Sequence, residues 1–167
     1  MRALGIDPGS RLSGWGVVES AGPLLRHLAS GTITLGAGAS LAVRLARLHA
    51  ECLRLIETWA PSVVVLERAF VARNVQSALR IGEARGAVLA AVASAGIDLE
   101  EYTPAAVKLA AIGHGTADKH AVGRGVTLRL GLARRPAADA ADALALALCH
   151  LQDVPLRTAL ARAGTLR

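Results

Sequence analysis

The chain has 167 residues, 53% of them hydrophobic but only 2% aromatic, so it has room for one domain whose core must be aliphatic and alanine-rich. Its net charge is +6, which favours a polyanionic partner over a charge that merely keeps the surface soluble. The longest uncharged apolar stretch, residues 86–97, is too short to cross a bilayer, and no leader-like segment follows Met1.

Arg2–Asp7 reads as a buried strand, Gly14–Glu19 as a second and Leu24–Leu35 as a third, joined by Pro-Gly-Ser and Gly-Pro turns. The period then changes. Leu41, Leu45, Leu48, Cys52, Leu55 and Trp59 recur at helical spacing. After Pro61, Ser62–Leu66 is a continuous apolar run of the kind that a covered parallel sheet requires. Asn74 is placed to cap a helix reaching Ser94, with Gly96 as its stop. Ile97–Tyr102 suggests a fifth strand, and Pro104 opens a short helix to Ile112. Helices are expected near Lys119–Leu130 and Asp139–Leu151. The order βββ-α-β-α-β-α-α-α predicts an α/β domain over residues 1–153, a mixed five-stranded sheet with helices on both faces. Residues 154–167 are expected to form a basic, loosely ordered tail. Cys52 and Cys149 lack metal-ligand spacing and read as reduced core residues of a cytoplasmic protein.

Two apolar strand runs end in acids, Asp7 and Glu67, while Asp139 and Asp142 share one face of a helix. If the two strands are parallel neighbours, their acids meet at the carboxyl edge of the sheet, where open α/β folds place their sites. Partly buried carboxylates need a counter-charge, and a divalent cation is the natural one. Taken singly, Asp139 reads equally as a helix cap and Glu67 as an ordinary strand end beside Arg68. The positive charge is concentrated elsewhere: residues 68–135 hold ten Lys and Arg against five acids. Acids in a basic setting point to metal-dependent chemistry on a nucleic-acid phosphate.

The motifs resemble those of RuvC-type Holliday junction resolvases. The resemblance is carried by Gly5-Ile6-Asp7-Pro8-Gly9-Ser10 with Gly14-Trp15-Gly16, by Leu66-Glu67 with Phe70, and by Asn74, Ser77-Ala78-Leu79, Gly82 and Ala84-Arg85-Gly86. Val107-Lys108, Asp118-Lys119 and Asp139-Ala-Ala-Asp142-Ala-Leu complete it, in order from about Met1 to His150. It implies a ribonuclease-H-like fold, a homodimer and symmetric cutting of four-way DNA junctions in recombination and repair. It also implies contact with a branch-migration motor. By position, Asp7, Glu67, Asp139 and Asp142 become the metal-binding acids, with two Mg²⁺ (or Mn²⁺) ions per site. Lys108 and Lys119 become phosphate-facing catalytic residues, and Arg68, Phe70 and Arg73 DNA contacts. Asp139 is the least fixed of the acids, because some relatives carry His there.

Other readings stand beside these. Phe70 is either a core plug for its loop or a group that stacks on an unpaired base. Gly82 and Gly86 make a small stripe with Ala90 and Ala93, which serves either internal helix packing or the dimer contact. Arg134-Arg135 is either a phosphate contact or a solvated turn, and His114 and His120 are expected to be non-catalytic. Three rival classes are an actin-like ATPase, which needs two such domains, a catalytically idle junction-binding module, and a nuclease acting on RNA or RNA–DNA hybrids.

Overall fold

The computed structural model describes residues 1–22, 24–36, 38–68, 75–113 and 120–164, with side chains described to residue 161. Among them the chain forms β1 (Arg2–Asp7), β2 (Leu12–Ala21), β3 (Leu24–Thr34), α1 (Leu41–Trp59), β4 (Val63–Glu67), α2 (Val75–Ala95), β5 (Asp98–Tyr102), α3 (Pro104–Ile112), α4 (Ala121–Arg129) and α5 (Ala138–Gly164). This is the expected order. The sheet runs β3-β2-β1-β4-β5. The first three strands form an antiparallel meander, while β4 and β5 join β1 in parallel register. No helix among the described residues is long and apolar enough to cross a membrane.

Strand alternation sends successive side chains to opposite faces, and the two faces are covered differently. Leu4, Ile6, Val17, Val64 and Leu66 point to one side, where Leu48, Cys52 and Leu55 of α1 and Ala84, Val88 and Val92 of α2 meet them. Ala3, Val18, Val63 and Val65 point to the other, towards Leu144, Leu148 and the alanines of α5, with α3 and α4 behind. The α1 and α3 ends follow local chemistry. Ser40 caps α1 by accepting from the Val43 N–H, and Thr103 caps α3, ahead of Pro104, by accepting from the Ala106 N–H. The expected Asn74 cap lies outside the described residues.

On the α5 side the helix lies against bare backbone. A Cβ on Gly5 would stand 1.9 Å from the Ala143 carbonyl oxygen, and one on Gly14 would stand 1.9 Å from that of Asp139. Glycine is therefore required at both, because neither obstacle is a side chain that could turn away. Ala140, Ala141, Ala143, Ala145 and Ala147 are all at most 2% exposed. The α5 segment from Ala143 to Leu151 is buried all round.

The tail is the main departure from expectation. Rather than stopping at Leu151 ahead of a loose tail from residue 154, α5 continues through Pro155 to Gly164. A proline inside a helix deprives it of one hydrogen bond, and here side chains hold the extension in place. Arg157 bonds Asp153 and donates to the Tyr102 hydroxyl at 3.1 Å, while that hydroxyl donates to Asp153 at 2.9 Å and meets His150 Nδ1 at 3.1 Å. The Thr158 hydroxyl donates to the Val154 carbonyl at 2.8 Å. Ties this specific are invisible in a basic-looking tail.

Candidate active site

The register brings the two strand-end acids together. Ile6 lies opposite Leu66 in the parallel β1–β4 pair, so Asp7 and Glu67 occupy equivalent places one residue further on, both on the α5 face. The chain leaving Asp7 is pinned rather than loose. Ser13, fully buried, accepts from the Gly9 N–H at 3.1 Å and donates to the Gly9 carbonyl at 3.3 Å. From α1, Arg44 donates to the Ser10 carbonyl at 2.7 Å. The end of β4 is braced in the same way, because Arg85 of α2 donates to the Glu67 carbonyl at 2.7 Å and forms an ion pair with Glu101. The Arg68 N–H donates to the Tyr102 carbonyl at 2.7 Å, and the residue itself is exposed.

The first turns of α5 supply the other two acids. The Asp139 carbonyl sits over Gly14, the residue opposite Asp7 in the β1–β2 pair, so the helix begins directly above the end of β1. Asp7, Glu67 and Asp142 line one cleft of about 170 Å³, together with Lys108 of α3, Leu146 and Val122. Asp139 lies one turn before Asp142, outside that lining, but its charge is felt by both Asp7 and Asp142.

Electrostatics ties the group together. Burial pushes the Asp7 carboxyl up to about 7, and repulsion from Asp142, Glu67 and Asp139 adds to it. Glu67 is raised by burial and by Asp142, with Lys108 pulling the other way. Asp142 is raised by burial and by Asp139, again opposed by Lys108. Crowded acids that resist ionisation are carboxylates short of positive charge. Among the described residues, no three His, Cys, Asp or Glu side chains are drawn closely enough to enclose an ion as they stand. The donor set is oxygen-only, which suits a hard divalent ion such as Mg²⁺ or Mn²⁺ and not zinc.

Of the other candidates, Phe70, Arg73, Lys119 and His114 lie outside the described residues. Gly82 and Gly86 lie on an exposed face of α2, and a Cβ on either would meet nothing within 4 Å. Close internal helix packing, one of the two readings of that stripe, is therefore not what these glycines serve. Reading the sequence missed Ser13, Arg44 and Arg85 as braces. A serine amid an apolar strand was a signal for the first. The two arginines look like any other helix-surface cation until the fold is known.

A model of the family "Crossover junction endodeoxyribonuclease RuvC" matches residues 3–150. The chain is 47% identical over 163 residues to the crossover junction endodeoxyribonuclease RuvC of Alkalilimnicola ehrlichii, covering 98% of both. It is 45% identical over 166 residues to that of Rhodospirillum rubrum, again covering 98% of both. The structure superposes on T. thermophilus RuvC in complex with Holliday junction substrate with a TM-score of 0.88 at 36% identity, covering 95% of this chain and 97% of that one. The yeast mitochondrial Holliday junction resolvase shares the fold at 15% identity, with a TM-score of 0.64 over 88% of this chain and 76% of that one.

Proposed function

The chain belongs to the RuvC family of crossover junction endodeoxyribonucleases, and we propose that it resolves four-way DNA junctions by hydrolysing one phosphodiester bond in each of two strands. The observation that carries this reading is the cleft shared by Asp7, Glu67, Asp142 and Lys108 at the carboxyl end of β1 and β4. Asp7, Glu67, Asp139 and Asp142 would hold two Mg²⁺ or Mn²⁺ ions, which when bound supply charge neutralisation for the phosphate and acidify the attacking water.

The chain's own groups do the rest. Lys108, near enough to influence both Glu67 and Asp142, places a positive charge where the scissile phosphate gains negative charge. The braces from Ser13, Arg44 and Arg85 fix the strand ends, so little reorganisation is needed when substrate arrives. Water oxygen attacks phosphorus in line with the leaving O3′, the P–O3′ bond breaks, and O3′ takes up a proton. The products are a 5′-phosphate and a 3′-hydroxyl. Lys119 joins Lys108 at the phosphate in this reading, and Arg68, Phe70 and Arg73 contact the junction.

A homodimer sets two such sites against a near-two-fold junction. Its support is the face of α2 on which Val75 is 73% and Leu79 63% exposed, beside the open Gly82 and Gly86. A stripe of this kind suits a second helix. The cytoplasm, where bacterial DNA lies, is the setting.

The test compares cutting of a four-way junction, a linear duplex and an RNA–DNA hybrid, with and without Mg²⁺. Junction cutting that needs Mg²⁺ and vanishes in Asp7→Asn, with binding retained in Ca²⁺, is expected. Equal cutting of the hybrid would sink the junction assignment, and unchanged cutting by Asp7→Asn would sink the assignment of the acids.

A further inference from the structure

A second concavity, larger than the acid cleft, opens on the other side of the first turn of α5. Its volume is about 430 Å³, and its walls are His27, Ser30, Gly31 and Thr32 of β3 and the 132–137 segment that leads into α5. Arg134 and Arg135 both line it, and no Asp or Glu does. Neither guanidinium has a hydrogen bond or ion pair among the described residues. The Arg135 stem is set in place by Gly123 of α4, where an added Cβ would meet its Cδ at 3.2 Å. On the opposite wall Ser30 Oγ and His27 Nε2 are 3.0 Å apart, and with Thr32 they give an uncharged polar lining. Two cations facing neutral polar groups, on walls otherwise made by Leu132, Ala133, Pro136, Ala137 and Ala140, give the groove a place for an anion.

Its place relative to the acids identifies which anion. Asp7 is opposite Gly14, and Gly14 is opposite Thr32, so the groove wall lies two strands across the sheet from Asp7. Two strand spacings are roughly 10 Å. A strand winds around its axis, so successive phosphates stand about twice the ~3.4 Å axial rise apart, and that distance corresponds to roughly one to two nucleotides along one strand. Ala140 lies next to Asp139 and lines the groove, which makes the two concavities neighbours on either side of one helical turn.

We propose that this groove is a second backbone subsite, in which Arg134 and Arg135 hold a phosphodiester of the junction DNA roughly one to two nucleotides from the bond that is cut. The inference rests on the proposed junction-cutting function and adds to it a track for the substrate strand. It also decides between the two readings of the Arg-Arg pair, in favour of the phosphate contact over the solvated turn.

The experiment is a binding titration of a fluorescent four-way junction in Ca²⁺, without cutting, repeated across salt concentrations. For Arg134→Ala/Arg135→Ala, the slope of log K against log salt should become shallower by about 0.7–0.9, the change expected for one phosphate no longer neutralised. Arg134→Lys/Arg135→Lys should keep the wild-type slope, since a phosphate needs charge at that place. In a backbone footprint the alanine variant should lose protection roughly one to two nucleotides from the cut while the protection at the cut itself remains. Wild-type binding matched by an unchanged slope in the alanine variant overturns the groove alone. A slope lost equally in the lysine variant overturns it too, because packing over Gly123 would then be responsible. A wild-type protein that does not bind the junction at all overturns the function on which the groove depends.

Discussion

The two faces of the sheet are packed by opposite means. On the α1/α2 face, leucine, isoleucine and valine side chains interlock, and no acid of the site is present. On the α5 face, glycine backbone meets an alanine-rich helix at the shortest separation sterics allow, and all four acids sit where that contact ends. The difference is between burying area and fixing position. Large side chains exclude water effectively but relax when disturbed, whereas backbone against backbone leaves nothing to rotate.

The contrast can be broken most severely at Gly14. Gly14→Val places carbon against the Asp139 carbonyl and should cost more than about 4 kcal/mol, leaving little folded protein in a urea titration. Leu55→Ala on the other face, fully buried, should cost about 2–5 kcal/mol yet leave a folded enzyme able to cut. If Gly14→Val proves the milder of the two, the backbone contact does not have the role given to it here.

Asp7→Asn should do the reverse and stabilise the metal-free protein. Asp7 is pushed up to about 7 in the fold, against 3.8 ordinarily, so between those values the folded state holds a proton the unfolded chain has released. Stability therefore falls as pH rises through that window, and the asparagine variant escapes the loss. Its advantage should be absent near pH 4 and about 1–2 kcal/mol at pH 8, a discounted figure because the group is only partly buried. Urea unfolding at the two pH values measures it, and an equal gain at both would remove the electrostatic cause. Millimolar Mg²⁺ should raise the melting temperature of the wild type more than that of the variant.

The smallest effect on the fold is expected at Gly86. Gly86→Leu enters open space and a more favourable helix residue, so the monomer should be unchanged or firmer by up to about 1 kcal/mol. Light scattering should nevertheless find monomers. A dimer that persists at low protein concentration would remove α2 from the interface.

Much of this was legible before any coordinates. Periodicity gave α1 with its observed ends, Pro104 marked the start of α3, and the acids at the ends of β1 and β4 foretold the sheet edge where they meet. What sequence could not supply is contact between distant residues. Nothing adjacent to Pro155 announces that Arg157 reaches Tyr102, so a helix was read as a tail. The open surroundings of Gly82 and Gly86 likewise depend on what lies nearby in space. The groove beside Arg134 joins β3 to the approach of α5, two segments a hundred residues apart.

Both acid-bearing strand ends are held by arginines that come from the layer without catalytic groups: Arg44 on the Ser10 carbonyl and Arg85 on that of Glu67. The scaffold side thus keeps a grip on the reactive side. A repacking change in α1 or α2 that merely shifts its helix would be transmitted through one guanidinium to the carboxylate just along the chain. Substitutions that look remote, on the wrong side of the sheet, would then surface as slower cutting in a protein that is otherwise well folded.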